Sequence, residues 1–275
     1  MPFTLSHPAA VLPLLRAAGA RGPLVASALV AGSMAPDVPF FAESLLPGAY
    51  GLGGPTHSWW GVATVDVAIA GVLVAGWHTL LRGPLVGLLP DRLAPAAEAL
   101  TARRRGTAAA RGAVDAAWFA GSAALGAATH VGWDAFTHGG RLGVTLLPVL
   151  DRTVAGLPLY TVLQYGSSAL ALAALAGYLV KAVRAVEPVR PAVALPAGVR
   201  RAAVAVLGAA TAAGVVHRLT PLRRNLIPEF CFGAGAGLAV GAVGYALLHA
   251  AVARPGRRGG TRPGGRERPA ERVPV

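Results

Sequence analysis

The chain has 275 residues, of which 54% are hydrophobic and only 13% charged, and its mean hydropathy is +0.55. Since about a quarter of an ordinary soluble domain is charged, this composition excludes that class and indicates a polytopic membrane protein. The net charge of +13 does not indicate a nucleic-acid-binding protein, because the arginines lie between apolar segments and in a terminal tail.

Two further features of the composition indicate the kind of organism and the kind of metal ligands that are available. Ala, Gly, Pro and Arg are all frequent and Lys181 is the only lysine, which matches the coding bias of a high-GC bacterium. The single cysteine, Cys231, excludes a disulfide framework and a thiolate zinc cluster. Any metal site in this chain must therefore use other ligands.

The first 34 residues are predicted to form a hairpin of two short helices. Apolar segments 9–15 and 23–34 are interrupted between Arg16 and Pro23. One straight helix from His7 to Met34 would rise about 40 Å and place His7 and Asp37 on opposite sides of a bilayer. A hairpin returns the two residues to the same side. No signal peptide is expected, because the basic region and the cleavage site are missing.

The rest of the chain predicts an all-α fold with five full membrane spans, at residues 62–81, 113–133, 159–183, 202–216 and 230–252. Eighteen of the 25 basic residues lie in loops 82–112 and 181–201 and in the tail 254–275. The positive-inside rule places these segments in the cytoplasm, although it leaves the basic segment 217–224 outside. We expect one helical membrane domain over 1–253, with the hairpin and a loop in 1–61 and the spans in 62–253. A disordered tail follows at 254–275, and the protein belongs in the bacterial inner membrane.

The second predicted span ends in His130-x3-Asp134-x3-His138. These residues share one face of a helix because they are four residues apart. A single buried histidine is usually a packing residue, but this segment concentrates metal-ligand residue types in nine positions. The set favours a metal site.

The predicted topology brings further ligand types to the same membrane face. Imidazole and carboxylate groups without thiolate suit zinc, and also manganese or iron. His130 and His138 would be about 12 Å apart along the helix, too far to share one ion. Asp134 therefore either pairs with one histidine or bridges two ions about 3.5 to 4 Å apart, the spacing of hydrolases that activate water against phosphate esters. The candidate ligands are His7, Asp37, His57, His130, Asp134 and His138, with Asp134 and His130 as the catalytic pair.

Other polar residues are candidates for supporting roles, with alternatives open. Asp66 either orients His57 or pairs with a polar neighbouring helix. Gln164 either lines a pocket or forms a hydrogen bond between helices. Arg218, Arg223 and Arg224 are expected to hold a phosphoryl group.

Four stretches carry a family resemblance: MPFTLSHPA at residues 1–9, GSMAPD at 32–37, THS at 56–58, and the His130 to His138 helix. Together they resemble the domain-of-unknown-function 4184 family of bacterial membrane proteins, over most of the chain to about residue 250. That resemblance implies a multi-span membrane protein with no established activity.

More distantly, the same order of residues is similar to the membrane-bound metal-dependent hydrolases and suggests zinc phospholipase C chemistry. This match falls on His7, Asp37, His57, His130 and Asp134. The chain has Pro39 where that pattern has a second acid, and Gly-Gly-Pro at 53–55 where it has Arg-Gly before Thr-His-Ser. Both departures argue against a second metal.

Two functions from different classes follow. The first is a metal-dependent hydrolase of phosphate or lipid-derived esters at the outer membrane face, with membrane lipid and a phosphorylated or lipid substrate as partners and no nucleic acid. The second is a non-enzymatic membrane protein whose His/Asp cluster serves a structural metal or ion or proton transport. A water-accessible cleft favours the hydrolase, and a closed cluster or a polar path from Asp66 to His78 favours the second.

Overall fold

The computed structural model describes residues 3–16, 19–102, 112–220 and 226–253. Within them the chain is mostly helical, as predicted, and strands are confined to two pairs of two residues. The tail 254–275 and the loop segment 103–111 lie outside the described residues.

The N-terminal part is a hairpin followed by a series of short helices. A 3₁₀ helix, Thr4–Leu14, leads into β1 (Leu15–Arg16), which pairs antiparallel with β2 (Gly19–Ala20) and turns the chain back into α1. The chain then continues through α1 (Ala26–Met34), a 3₁₀ turn (Ala35–Asp37), α2 (Val38–Ala42), a second turn (Ala49–Leu52), α3 (Gly53–Thr56) and α4 (Trp59–Ala63). The reversal that the sequence predicts is present.

The remainder consists of long helices and the short elements that connect them. Helix α5 (Val65–Gly76) continues through a π turn (Trp77–Leu81) into α6 (Arg82–Val86), and α7 (Ala94–Thr101) and the long helix α8 (Gly112–Thr137) follow. After α9 (Leu142–Leu146), a 3₁₀ turn (Pro148–Asp151) and the pair β3 (Thr153–Val154) and β4 (Leu157–Pro158), the described part of the chain ends in three long helices, α10 (Leu159–Ala185), α11 (Ala197–Leu219) and α12 (Leu226–Ala253). The predicted loop 82–112 is therefore partly helical.

Four helices of the described part are long and apolar enough to cross a membrane: Val65–Val86, Leu159–Ala185, Ala197–Leu219 and Leu226–Val252. The chain thus has the features of a multi-pass membrane protein. The predicted span at 113–133 is helical but is not among these four. Its buried face carries Ser122, His130 and Asp134, which lower its apolar character.

Helices α1 and α8 cross with their backbones in contact. A Cβ atom at Gly32 would overlap the backbone of Ala123, and one at Gly126 would overlap the backbone of Leu29. Small residues at a crossing permit this close approach. It brings the end of α1 directly against the part of α8 that carries His130.

Candidate metal centre

The centre is built on the last turns of α8. His130 and Asp134 lie one turn apart, with 3.4 Å between His130 Nε2 and Asp134 Oδ2, and both side chains are buried. Their four-residue spacing places them on the same helix face. That face points into the protein, against α1 and the N-terminal 3₁₀ helix.

Three further ligand types come from the N-terminal part. His7 lies in the first 3₁₀ helix, Asp37 ends the turn after α1, and His57 follows α3. The His7 ring stacks on His130 with 3.7 Å between ring centroids, and the His57 and His130 centroids are 5.4 Å apart. The structure therefore brings together residues that are up to 127 positions apart in the sequence.

Backbone carbonyls fix the orientation of two imidazoles. Nδ1 of His130 lies 2.7 Å from the carbonyl oxygen of Ser33, and Nδ1 of His57 lies 2.9 Å from that of Gly53. A carbonyl oxygen only accepts, so each Nδ1 donates and carries the hydrogen. In the neutral tautomer, Nε2 of each ring then presents a lone pair to the cluster.

The carboxylates present acceptor atoms to those same lone pairs. The Thr4 hydroxyl donates to Asp37 Oδ2 over 2.5 Å, which leaves Asp37 Oδ1 facing the histidines. Among the described residues, Asp37 Oδ1, both Asp134 oxygens, His57 Nε2 and His130 Nε2 have no hydrogen-bond partner. Buried acceptors that face one another are costly unless a cation or protons lie between them.

The spacing of these atoms fits one metal ion. His57 Nε2 is 3.8 Å from Asp37 Oδ1 and 3.4 Å from Asp134 Oδ2, and His130 Nε2 is 3.5 Å and 3.4 Å from the same two oxygens. Two ligands that each bind at about 2.1 Å in tetrahedral geometry are about 3.4 Å apart. The donor types and these four distances are therefore ones that could hold a metal ion.

The ligand atoms form two compact groups that share one histidine. One group is Asp37, His57 and His130, and the other is His7, His130 and Asp134; in each, the atoms lie within 4.8 Å of one another. His130 has a single Nε2 to offer, because Ser33 occupies its Nδ1. It can thus bind an ion in one group or the other.

The second oxygen of Asp134 faces a different pair of histidines. Oδ1 is 3.6 Å from His7 Nε2 and 3.4 Å from His138 Nδ1. The Gln164 side-chain amide nitrogen donates to His138 Nε2 over 2.7 Å. His138 is absent from both compact groups, so it lies beside the centre rather than within it.

A small cleft reaches this side of the centre. Its lining includes His7, Trp133, Asp134, His138, Gln164 and Ser168. Its empty volume is about 210 Å³ up to the open mouth, and its floor has room for about one water molecule. The cleft extends to Asp134, but both carboxylate oxygens of this residue are buried, so the cluster is almost closed to solvent.

Burial and neighbouring charges shift the pKa values of His7 and Asp37, which lie outside the long helices. Burial, with the neighbouring His130 charge, lowers the pKa of His7 from 6.5 to about 3. For Asp37, burial alone would raise the pKa, but attraction to His130 outweighs it and the pKa lies below the usual value. At neutral pH His7 is unprotonated and Asp37 is charged, but both shifts involve a protonated His130, whose Nε2 proton a metal ion would have to displace.

The remaining candidates lie outside the two groups. Asp66 on α5 is fully buried, and neither of its oxygens has a hydrogen-bond partner in the described part of the chain. Arg218 is buried with Nε 2.7 Å from Glu229 Oε2, so its charge is already compensated. Arg223 and Arg224 lie outside the described residues.

Sequence reasoning missed the groups that hold the ligands. The Ser33 and Gly53 carbonyls carry no residue-type signal, since every residue has one. Thr4 stands three positions before His7 and could have been identified as a carboxylate partner only if the turn that brings Asp37 to it had been known.

Comparison with known protein families identifies the family of this chain. Residues 1–247 match the family described as Domain of unknown function (DUF4184). The chain belongs to that family. The matched part of this DUF4184 protein contains all six candidate ligands. No curated protein and no solved structure matches the chain.

Proposed function

We propose that this DUF4184 protein is a metal-dependent hydrolase of phosphate or lipid-derived esters, embedded in the bacterial inner membrane with its centre toward the outer face. The observation that carries the proposal is the set of buried acceptor atoms that converge without hydrogen-bond partners beside an open cleft. Convergence supports a metal ion, and the cleft supports access of water and substrate.

The ligands assigned to the ion are Asp37, His57 and His130, which form one compact group, and Asp134 Oδ2 lies 3.4 Å from both His57 Nε2 and His130 Nε2. Imidazole and carboxylate donors without thiolate suit zinc first and manganese or iron next. When bound, a divalent ion would supply Lewis acidity and lower the pKa of water enough to make it a nucleophile at neutral pH.

Asp134 has a second role in this proposal. Its Oδ1 lies at the cleft with His7 at 3.6 Å, where it can accept a hydrogen bond from a water molecule and orient it. His138 and Gln164 border the same space. His138 Nε2 accepts from Gln164 and its Nδ1 faces Asp134 Oδ1, so it is the second amide hydrogen of Gln164 that can donate to a phosphoryl oxygen. Gln164 replaces Arg218 as the assigned substrate contact, since Arg218 is paired with Glu229.

One observation favours the non-enzymatic alternative of ion or proton transport. Asp66 is a fully buried acid on a candidate span, and it lies within electrostatic range of His130 and Asp37. Acids at membrane depth often mark ion or proton routes. Loss of proton-coupled flux in Asp66→Asn, with metal content unchanged, would support this second function.

The test of the hydrolase is metal analysis of the detergent-purified protein, combined with hydrolysis of a generic phosphodiester. The expected result is stoichiometric divalent metal in the wild type, loss of that metal in His130→Ala, and hydrolysis that stops with a chelator and returns with zinc. The matched control is His217→Ala, since His217 is exposed on α11. A wild-type protein without metal, or equal metal in His130→Ala, would refute the proposal.

A further inference from the structure

We propose that the cleft opens sideways into the outer leaflet and admits a membrane phospholipid, so that the substrate reaches the centre from the bilayer and not from water. This inference rests on the proposed hydrolase and names its substrate class. The occupant of the cleft mouth is the lipid phosphate, and the acyl chains stay in the leaflet.

The first argument is the depth of the cleft along α10. Gln164 and Ser168 line the cleft and follow Leu159, where this candidate span begins, by five and nine residues. At a rise of 1.5 Å per residue they lie about 7 and 14 Å along the helix. A helix of 27 residues is about 40 Å long and extends about 5 Å beyond each side of a 30 Å hydrocarbon core. The cleft therefore lies about 2 to 9 Å below the hydrocarbon boundary.

That depth is the level of the upper acyl carbons, beneath the glycerol esters and the phosphates. A soluble substrate would have to cross the headgroup layer to reach it. A phospholipid already holds its ester groups next to this level, so a small inward displacement suffices.

The second argument is the apolar surface around the cleft. Leu5, Phe136 and Leu163 adjoin cleft-lining segments in sequence and are 71%, 47% and 40% exposed. On the connector before α10, Leu142 and Leu146 are each 68% exposed. Large exposed apolar side chains mark a membrane or protein contact. Since this surface continues onto a candidate membrane span, the bilayer is the partner that covers it.

The third argument is the polarity of the cleft itself. Its lining carries His7, Asp134, His138 and Gln164, whereas exposed residues next to the lining segments in sequence include Leu5, Phe136 and Leu163. A molecule with a phosphate ester at one end and hydrocarbon at the other matches both. The cleft itself has room for about one water molecule, so the phosphate would lie outside it, at the mouth.

The reaction is hydrolysis of the phosphate ester. The water oxygen forms a new bond to phosphorus, the ester P–O bond to the lipid alcohol breaks, and the departing alkoxide takes one proton of the water. The products are a lipid alcohol and a phosphate monoester, and no oxidant or further reactant is needed.

The experiment uses the full-length protein in phosphatidylglycerol vesicles that contain phosphatidylglycerol with a photoactivatable acyl chain. Labelled peptides are identified by mass spectrometry. We expect cross-links on residues 133–138 and 159–168 in the wild type. Gln164→Trp should fill the mouth and abolish these cross-links while it retains metal. Leu170→Trp is the matched control, because Leu170 is exposed on the same helix, and it should label like the wild type.

A second measurement does not depend on the folding of Gln164→Trp. A spin label at Leu163→Cys, in a Cys231→Ser background, should collide with oxygen, which is soluble in lipid, and be protected from a water-soluble nickel chelate. Accessibility to the nickel chelate, or undiminished cross-linking in Gln164→Trp, would overturn the leaflet route.

Different results would refute the proposed hydrolase and the proposed route from the leaflet. If a water-soluble phosphodiester is hydrolysed as fast as phosphatidylglycerol, and equally by Gln164→Trp, the hydrolase stands and the leaflet route is refuted. If the wild type holds no metal, the hydrolase is refuted, and the cross-links still decide whether lipid occupies the cleft.

Discussion

Asp134 is the residue on which the centre depends most, because its two oxygens face different histidine pairs. Oδ2 lies 3.4 Å from both His57 and His130, while Oδ1 faces His7 and His138. We expect Asp134→Asn to lose metal and phosphodiesterase activity, since Asn keeps the shape of Asp but not its charge. His138→Ala should retain most of the metal, because His138 belongs to neither compact ligand group.

Metal stoichiometry and turnover of a generic phosphodiester, measured on both variants in detergent, decide this comparison. If Asp134→Asn keeps wild-type metal content and turnover, the catalytic role of α8 is excluded. If His138→Ala loses as much metal as Asp134→Asn, His138 is a ligand and not a neighbour of the centre.

Thr4 is expected to increase the metal affinity of the centre although it is not itself a ligand. Its hydroxyl donates to Asp37 Oδ2 over 2.5 Å and so directs Oδ1 toward the histidines. Thr4→Val keeps the shape and removes this bond. Loss of such a supporting contact typically weakens metal affinity by about 10- to 100-fold. Competition with a calibrated chelator measures the change, and Thr145→Val, an exposed site, is the control. Equal affinity in the two variants would contradict the role of Thr4.

At the residue scale, the sequence identified the types of the ligands better than their roles. His130 and Asp134 were predictable from helix spacing alone, and the hairpin argument correctly predicted that His7 and Asp37 lie on the same side. The distinction between His138 and the other five depends on side-chain direction at the end of α8, which spacing does not determine. The contact of Arg218 with Glu229 joins residues of α11 and α12 that are eleven positions apart, and local sequence spacing does not reveal it.

At the scale of elements, the crossing of α1 and α8 positions the centre. Gly126 faces the backbone of Leu29 and Ser33, and the Ser33 carbonyl in turn orients His130. We expect Gly126→Ala to separate the helices and to cost about 1 to 3 kcal/mol through overpacking. It should also reduce metal affinity, because His130 loses its carbonyl partner.

Gly132→Ala is the matched control for this substitution. Gly132 lies on the same helix, two residues from His130, and a Cβ atom there would meet no other atom within 4 Å. Alanine there should be neutral or stabilise the protein by up to about 1 kcal/mol through helix propensity. Thermal unfolding in detergent and chelator competition are measured on both. Equal behaviour of the two variants would show that the crossing does not position the centre.

The sequence predicted the long elements well and the short ones poorly. The helices at 159–185 and 226–253 agree with the predicted spans because their apolar runs are unbroken. The sequence predicts a short helix over the apolar segment 9–15. The structure has a 3₁₀ helix that begins at Thr4 and contains Pro8 and Pro13, neither of which can donate a backbone hydrogen bond. Such short elements depend on tertiary packing, which local patterns do not report.

At the scale of the whole molecule, the N-terminal hairpin extends away from the centre along α10. The Ser6 hydroxyl contacts Ser168 at 3.3 Å, and Tyr178 donates to the Arg16 carbonyl at 2.7 Å. The ten residues from Ser168 to Tyr178 cover about 15 Å of helix. Arg16 therefore lies farther along α10 from the centre than Ser6 does.

The position of the centre also bears on α8. The candidate spans at Val65–Val86 and Leu159–Ala185 both begin next to the centre, one just after His57 and the other just before Gln164. The first of these runs away from the centre, so the chain must return before the second begins. Helix α8, with 26 residues, is about 39 Å long and can make this crossing. Its polar face is tolerable at membrane depth because α1 and the N-terminal 3₁₀ helix cover it.

We therefore predict that α8 crosses the membrane as a fifth span, although it is less apolar than the other four. The single Cys231 allows a direct test, since Cys231→Ser gives a background without cysteine. New cysteines at Leu93 and Glu187 lie before α8 and after α10, and one at Asp151 lies between these helices; all three positions are exposed. A thiol reagent that does not cross membranes should label Asp151→Cys in intact cells. It should label Leu93→Cys and Glu187→Cys only after permeabilisation, because α8 and α10 each separate them from Asp151. Labelling of Leu93→Cys and Asp151→Cys from the same side would mean that α8 does not cross, and the centre could not then adjoin the beginnings of both neighbouring spans.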